Sequence, residues 1–183
     1  MAIPLKIFTD GACSGNQNAE NSGGWGAVLV YGSHQKELFG GEANTTNNRM
    51  EMTALLRAFE AIKKERQIIE IFSDSAYLIN CFLGNWYENW MSNGWKTAAK
   101  KPVENRDLWE ALLPYLDKHH IKFYRVKGHI NLSSKKLDLD SLFEAFSEAN
   151  GDSFSKDDFI YIVEMNNLAD KLANKGIGSP DNT

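Results

Sequence analysis

The chain of 183 residues contains few cysteines, few prolines and no long apolar run. Its two cysteines, Cys13 and Cys81, form neither a CxxC pair nor a metal-spaced cluster, which argues against a disulfide scaffold and indicates a reducing compartment. No stretch approaches the length of a membrane span, and residues 1–6 lack the apolar core of a signal peptide. We therefore expect a cytoplasmic protein that does not contact a membrane.

An excess of positive charge is also missing, since 20 Lys and Arg stand against 24 Asp and Glu for a net charge of -4. Nucleic-acid-binding proteins usually carry a basic surface, so the total charge alone argues against that class. With 43% hydrophobic and 24% charged residues, a disordered or fibrous chain is excluded. The length suits one globular domain with a sizeable core.

Strand and helix patterns alternate along the chain and predict one α/β domain with a mixed sheet. Short apolar runs predict strands at residues 5–10, 24–31, 36–39, 68–72 and 121–126. Helical patterns predict helices at residues 47–64, 75–82, 105–118 and 166–175. The first strand is expected to end in a turn at Asp10 and Gly11.

Residues 131–165 differ in composition, because they hold three lysines and eight acidic residues for a net charge of -5. Apolar residues between positions 139 and 146 follow helical spacing and predict one helix. A second helix is predicted from near Ser155, and no helix breaker precedes Lys175. We interpret the segment as a helical hairpin inserted into the parent domain, not as disorder.

Four acidic residues are candidates for chemistry. Asp10 and Asp74 each follow an apolar strand-like run, Glu51 lies beside the inward face of the first helix, and Asp170 lies on the last helix. Converging carboxylates repel one another, and a hard divalent cation with oxygen ligands is the usual remedy. Spacing alone leaves the alternative open that each acid is a solvated surface group.

Short motifs surround these acids, and further motifs lie elsewhere in the chain. They are Phe-Thr-Asp-Gly at 8–11, Thr-Thr-Asn-Asn-Arg-Met-Glu at 45–51, Ser-Asp-Ser at 73–75, Gly-Trp-Lys-Thr at 94–97, Val-Lys-Gly-His at 126–129, and the segments 101–109 and 166–173. In this arrangement the chain resembles bacterial type 1 ribonuclease H over roughly residues 5–130 and 166–176. The resemblance implies a single domain with a ribonuclease H-like mixed five-stranded sheet flanked by helices, a helical insertion at 131–165 and a flexible tail at 177–183.

The resemblance also implies an activity: hydrolysis of the RNA strand of RNA–DNA hybrids with two Mg²⁺ ions per site, which Mn²⁺ could replace, to give 5′-phosphate and 3′-hydroxyl ends. In this family pattern Asp10 bridges both ions, and Asp170 helps to hold the ion that activates the attacking water. Glu51 and Asp74 hold the ion on the leaving-group side. His129 matches a mobile histidine that shuttles protons or helps products leave, the alternative being a surface-loop histidine.

A hybrid is distinguished from duplex DNA by the 2′-hydroxyls of one strand, which small polar groups can reach across a shallow minor groove. The contacts that the resemblance implies are Cys13, Asn16, Thr46, Asn47 and Asn48, together with Trp86, Trp90, Lys96, Lys100 and Lys101 in an aromatic and basic protrusion. For Trp86 and Trp90, which are spaced at i and i+4, core packing is the alternative to base contact.

Two other functions stay open: a DNA-directed nuclease of the same fold, and a catalytically silent hybrid-binding module. We expect a monomer, and residues 131–165 could offer a surface to a protein partner. Acidic charge near a phosphate path would repel the substrate, so we expect this segment's acidic face to point away from it. Outside that segment and the four candidate acids the net charge is +5, so the total charge averages over parts of opposite sign.

Overall fold

The computed structural model describes residues 2–15 and 21–179. The strands of its single sheet are β1 (Leu5–Ser14), β2 (Ser22–Tyr31), β3 (His34–Ala43), β4 (Ile68–Ser73) and β5 (His120–Arg125). They are arranged in the order β3-β2-β1-β4-β5, with β1, β2 and β3 antiparallel and with β4 and β5 parallel to β1. The predicted mixed five-stranded sheet is therefore confirmed.

Helices cover both faces of this sheet. They are α1 (Asn47–Glu60), α2 (Ala76–Leu83), α3 (Trp86–Asn93), α4 (Arg106–Lys118), α5 (Leu139–Asn150) and α6 (Lys156–Gly176). Helices α1, α2 and α4 share one buried cluster with the sheet, and α5 and α6 share a second. Within the described ranges, no helix combines the length and the apolar character that crossing a membrane requires.

The two clusters lie on opposite faces of the sheet because successive strand side chains alternate between its faces. Ile7 belongs to the cluster beneath α1, whereas the next residue, Phe8, belongs to the cluster beneath α6. Ile71 and Phe72 of the neighbouring parallel strand divide in the same way, and the rings of Phe8 and Phe72 stack at 4.9 Å. This layering brings one helix from each face close to the end of β1.

Several predicted boundaries were wrong, including the end of the first strand, the end of the first helix and both ends of β3, which was predicted at 36–39. The first strand continues past Asp10, which pairs with Gly26 of β2 in the antiparallel ladder, and ends at Ser14. Pairing with β2 therefore overrides the local turn signal. Helix α1 ends at Glu60 rather than at residue 64, because residues 63–66 are all charged and offer no apolar side chain to bury against the sheet.

Helix α6 lies unusually close to the sheet. A side-chain carbon placed on Gly24 of β2 would overlap the carbonyl oxygen of Ala173, and one on Gly26 would lie 2.5 Å from the carbonyl oxygen of Ala169. Only glycine at these two positions permits such contact between helix and strand backbones. The close approach fixes the height of Asp170 above the sheet, one residue beyond Ala169.

The segment 131–165 forms α5 and the first part of α6, which runs without interruption to Gly176. Both helices predicted for this segment are thus present. Aromatic contacts hold it against the sheet and its own partner helix, with Phe154 at 4.9 Å from Tyr124 and Phe146 at 5.1 Å from Phe159 between ring centroids. The segment is a packed part of the second core.

The chain beyond α6 is described as far as Ser179. The backbone N–H of Gly178 donates to the hydroxyl of Ser22 at 3.1 Å, which ties this turn to the start of β2. Residues 180–183 lie outside the described residues, so the flexible tail at 177–183 stays a prediction.

Candidate active site

Three of the four candidate acids meet at one edge of the sheet. Carboxylate oxygens of Asp10, Glu51 and Asp74 all lie within 4.8 Å of one another. Asp10 lies inside β1 and Asp74 follows β4 directly, and these strands are parallel neighbours. Asp10 is buried, with only 3% of its surface exposed.

Glu51 reaches this group because the start of α1 is held against β1. Thr46 caps the helix by accepting a hydrogen bond from the backbone N–H of Arg49 at 3.1 Å. Arg49 in turn donates two hydrogen bonds to Asp107 of α4, at 2.7 and 3.1 Å. A side chain on Gly11 would lie 2.5 Å from the backbone nitrogen of Glu51, so this glycine lets strand and helix backbones touch.

The fourth acid, Asp170, approaches from α6 on the opposite face of the sheet. It interacts electrostatically with both Asp10 and Asp74 and raises the pKa of each. Its side chain is 30% exposed, and its Oδ1 lies 3.9 Å from the Nδ1 of His129. The structure therefore brings all four candidate acids to one site.

Burial is the main influence on the acids in this site. Desolvation raises the pKa of Asp10 from its ordinary 3.8 to about 8, and repulsion by Asp74 adds to this rise while a hydrogen bond with Glu51 opposes it. Desolvation likewise raises the pKa of Glu51 well above its usual range and raises that of Asp74. Without a cation, protons are therefore retained in this cluster at pH values where isolated carboxyls are ionised.

The site has the properties of a divalent-cation centre. Oε2 of Glu51 is buried and has no hydrogen-bond partner among the described residues, so this oxygen is available as a ligand. All donors in the group are carboxylate oxygens, which Mg²⁺ and similar hard cations prefer. Positive charge at this point would also offset the desolvation of Asp10 and Glu51.

Residues 126–130, which contain His129 and which we call the histidine loop, are the first part of the segment 126–138 that joins β5 to α5. The backbone of His129 is left-handed, with φ of 58°, and its side chain is 76% exposed. A side chain on the preceding Gly128 would overlap Oδ2 of Asp74, so the loop backbone touches that acid. At the other end of the loop, the carbonyl oxygen of Ile130 accepts a hydrogen bond from the Asn167 side chain at 2.9 Å.

The candidate hybrid contacts near the acids lie mainly at the start of α1. Thr46, Asn47 and Asn48 are exposed there, about one helical turn before the acid of this helix. Cys13 is a half-buried free thiol on β1. Asn16 lies outside the described residues.

The aromatic candidates divide between surface and core. Trp86 is 43% exposed at the start of α3. Trp90 is half-buried and packs against Trp95 at 6.2 Å and Trp109 at 5.5 Å between ring centroids. A groove of about 420 Å³ runs along Trp86, Trp90 and Lys96. The contacts of Trp90 therefore indicate a role in core packing, whereas the exposed ring of Trp86 is accessible to a ligand.

The three candidate lysines are exposed in the loop that follows α3. Lys96 pairs with Pro102 in an isolated β-bridge, and Lys100 adopts a left-handed backbone with φ of 61°. The Asn93 side chain holds this loop, because it donates to the carbonyl of Lys96 and accepts from its N–H, both at 2.9 Å. The loop after α3 therefore presents Lys96, Lys100 and Lys101 on one surface. None of the four acids lies in this loop.

Sequence reasoning missed two asparagines that hold functional segments by their side-chain amides. Asn21 accepts from the N–H of Thr45 at 2.8 Å and donates to its carbonyl at 2.9 Å, which fixes the chain just before the α1 N-cap. Asn93 makes the equivalent pair of bonds to Lys96. The Asn93-Gly94 dipeptide is a turn signal that could have identified the second case, but no local signal marks the first.

Comparison with known proteins places these features among nucleases. The RNase H family model matches residues 4–145. A curated ribonuclease H from Syntrophomonas wolfei is 54% identical over 123 residues, which are 67% of this chain and 82% of that relative. About a third of this chain therefore lies outside that alignment.

Solved structures of low sequence identity share the fold. LC9-RNase H1, a type 1 RNase H with the type 2 active-site motif, aligns with a TM-score of 0.63 and 22% identity over 100% of this chain and 90% of that chain. The foamy viral protease-reverse transcriptase in complex with RNA/DNA hybrid aligns with a TM-score of 0.63 and 20% identity over 95% of this chain and 20% of that chain.

Proposed function

This chain belongs to the RNase H family and is a ribonuclease, and we propose that it hydrolyses the RNA strand of RNA–DNA hybrids with two Mg²⁺ ions. One observation carries this proposal: oxygens of Asp10, Glu51 and Asp74 lie within 4.8 Å of one another, with Oε2 of Glu51 buried and without a partner among the described residues. A bound cation would favour the ionised form of these buried carboxylates.

The roles of the acids follow from their positions and from the family pattern. Asp10 interacts with all three other acids, so we assign it to bridge both ions. Glu51 and Asp74 would hold the ion on the leaving-group side, and Asp170 the ion beside the attacking water. Bound Mg²⁺ supplies positive charge beside the scissile phosphate and lowers the pKa of the attacking water. In-line attack by water at phosphorus breaks the bond to the 3′-oxygen and leaves 5′-phosphate and 3′-hydroxyl ends.

His129 is assigned to proton transfer. Its Nδ1 lies 3.9 Å from Oδ1 of Asp170, and its side chain is largely exposed, so Nε2 is the nitrogen that can exchange protons with substrate or solvent. His129 has a left-handed backbone and directly follows Gly128, whose backbone contacts Asp74. The histidine therefore adjoins the acids without belonging to their buried group.

The hybrid would lie across the start of α1 and extend toward α3. Thr46, Asn47 and Asn48 present exposed polar groups that suit the 2′-hydroxyls of an RNA strand. The surface formed by Trp86 and the lysines of the following loop suits stacking and phosphate contact. The foamy viral relative of this fold holds an RNA/DNA hybrid, which supports the same substrate class here.

We propose that residues 131–165 are an insertion whose acidic face is turned away from this path. Asp140, Glu144 and Glu148 recur every four residues on one side of α5. The other side of α5 forms a cleft of about 270 Å³ with Asp74 and the loop after β5. The α5 residues that line it are Leu142, Ala145, Phe146 and Ala149.

Cleavage of end-labelled substrates tests the proposed function. The protein is incubated with Mg²⁺ and with an RNA–DNA hybrid, duplex RNA or duplex DNA of one sequence, and Asp10→Asn serves as the inactive variant. We expect cleavage of the RNA strand of the hybrid alone, with fragments that a 5′-phosphate-dependent exonuclease degrades and a 3′-hydroxyl-dependent polymerase extends.

Other results would contradict the proposal in distinct ways. Cleavage of duplex DNA alone would indicate a DNA-directed nuclease of the same fold. Binding of hybrid without cleavage in Mg²⁺ or Mn²⁺ would indicate a silent binding module. Cleavage that persists undiminished in Asp10→Asn would show that the carboxylate cluster is not the site of reaction.

A further inference from the structure

Asn150, the last residue of α5, holds the end of β5 by its side-chain amide. Its Oδ1 accepts a hydrogen bond from the backbone N–H of Arg125 at 3.1 Å, and its Nδ2 donates to the carbonyl of Arg125 at 2.8 Å. The same Nδ2 also donates to the carbonyl of Phe146 at 3.1 Å, which fixes the amide on its own helix. The two segments joined in this way are 25 residues apart in the chain.

This contact supplies what a neighbouring strand would supply. Strand β5 is at the edge of the sheet, so one side of its backbone has no strand partner among the described residues. In a hydrogen-bonded pair of an antiparallel sheet, a residue exchanges both an N–H and a carbonyl bond with one residue opposite. The Asn150 amide makes that pair of bonds with Arg125 and so ends the open edge of β5 at a defined residue.

The loop that carries His129 begins immediately after this contact. Residues 126–130 are held at their far end by the Asn167 amide, which donates to the carbonyl of Ile130 at 2.9 Å. Between the two ends, the backbone at Gly128 touches Asp74. Asparagines of α5 and α6 thus hold the two ends of the loop, and the N–H of Val126 adds a hydrogen bond to the carbonyl of Ser73 at 2.9 Å.

We propose that Asn150 is a positioning residue that sets the place of His129 relative to the acids, and that residues 131–165 serve the reaction through this contact. The inference rests on the proposed function, because the role of His129 is part of it. Apolar packing of Phe146 against Phe159 at 5.1 Å keeps α5 in place independently of the amide. Loss of the amide therefore removes one anchor at the start of the loop, while the bond from Val126 to Ser73 and the helix itself remain.

Kinetics of hybrid cleavage test the positioning role through a double-mutant cycle. Asn150→Ala is expected to lower kcat about tenfold and to leave KM within about twofold, because misplacement of a reacting group affects the chemical step. In a His129→Ala background, the same change is expected to have an effect on kcat below about twofold. Equal losses of kcat in both backgrounds would overturn the proposal.

Three variants serve as comparisons. Asn150→Asp keeps the acceptor for the Arg125 N–H and loses the donor, so its kcat is expected to lie between those of wild type and Asn150→Ala. Asn93→Ala removes the same kind of amide pair from Lys96 and is expected to raise KM without lowering kcat. Glu148→Gln alters an exposed residue of α5 and is expected to resemble wild type. A loss of kcat in Glu148→Gln equal to that in Asn150→Ala would attribute the effect to α5 in general and would also overturn the proposal.

Hydrogen–deuterium exchange provides a readout that does not depend on activity. In Asn150→Ala, the amides of Arg125 and Val126 at the start of the loop are expected to exchange about tenfold faster, while those of β1 keep wild-type protection. Unchanged exchange at these two amides would overturn the proposal even if activity falls. Absence of hybrid cleavage by the wild-type protein would instead overturn the proposed function, and the exchange result would then decide alone whether Asn150 holds the loop.

Discussion

The chain contains two acidic regions that use the same side chains in opposite ways. At the site, Asp10 is buried with 3% of its surface exposed, and desolvation raises its pKa to about 8. In the segment 131–165 all eight acids are exposed, and hydrogen bonds from Ser155 at the α6 N-cap lower the pKa of Asp158. Asp10 accepts a hydrogen bond from the N–H of Gly11 at 2.9 Å, but desolvation outweighs it, so positive charge would stabilise this carboxylate. The exposed Asp158 is stabilised as a carboxylate by the donors of Ser155 alone.

The difference also explains why the total charge misleads. The acids of 131–165 cap helices and form surface pairs: Asp138 accepts from the N–H of Ser141 at 3.1 Å, and Asp140 pairs with Lys156. These surface acids need no bound metal ion, whereas the buried acids of the site are expected to be neutralised by a cation. A net charge of -4 therefore describes neither region.

The largest expected effect comes from breaking the buried region. Asp10→Asn removes the carboxylate that interacts with all three other acids, and we expect kcat for hybrid cleavage to fall by about a thousandfold or more. Steady-state cleavage of a labelled hybrid in Mg²⁺ measures this. Glu148→Gln in the exposed region is the matched control and should keep wild-type kcat; comparable losses in both variants would erase the contrast between the regions.

The next largest effect is on stability without metal. Because the folded-state pKa of Asp10 is raised to about 8 from 3.8, the folded protein retains a proton that the unfolded chain loses. The contribution of Asp10 to the free energy of unfolding is therefore fully present below about pH 4 and is lost as pH rises toward 8, a fall on the order of a few kcal/mol. Denaturant titrations in EDTA at pH 5 and pH 8 measure this fall.

Two further measurements sharpen the same prediction. Mg²⁺ should raise the free energy of unfolding at pH 8 more than at pH 5, because it replaces the retained proton. Asp10→Asn should reduce the dependence on pH, and Glu148→Gln should leave it unchanged. A metal-free protein that is more stable at pH 8 than at pH 5 would show that the acids are not desolvated as the structure indicates.

A smaller effect is expected where the loop touches the site. Gly128→Ala places a methyl group against Oδ2 of Asp74, so either the loop or the carboxylate must move. We expect kcat to fall about tenfold and more Mg²⁺ to be needed for half-maximal activity. Glu148→Gln, which alters an exposed side chain of α5, is the control in the exposed region and should retain activity.

The smallest effect is expected at a cap in the exposed region. Ser155→Ala removes one half of the capping box with Asp158 and should lower the free energy of unfolding by about 1 kcal/mol. Cleavage should be unaffected, because Ser155 caps the N-terminal end of α6 and Asp170 lies near its C-terminal end. Thermal unfolding and steady-state kinetics on one preparation measure both quantities, and a tenfold loss of kcat would mean that the two regions are coupled through α6.

Local patterns predict much of this molecule and fail where distant segments decide. The apolar runs of β4 and β5 and the uninterrupted pattern through α6 predict those elements, because each is defined by residues adjacent in sequence. The continuation of β1 through Gly11 depends on pairing with Trp25, which no local rule contains. The turn signal at Asp10 and Gly11 is therefore overruled by a neighbouring strand.

The site shows the same division. Motifs around Asp10 and Asp74 identify them as candidates, but their separation and the partnerless oxygen of Glu51 depend on how α1 packs against β1. The amide contacts of Asn21 and Asn150 join residues 24 and 25 positions apart and leave no periodic trace in the sequence. Such contacts become visible only in three dimensions.

The close packing of α6 on the glycines of β2 determines when the fourth acid joins the site during synthesis of the chain. Asp10, Glu51 and Asp74 are synthesised before Asp170, and they lie on β1, on α1 and directly after β4. The fourth acid arrives only when α6 docks against Gly24 and Gly26. A growing chain on a ribosome therefore carries an incomplete set of acids beside its own messenger RNA until residues near 170 have emerged and folded.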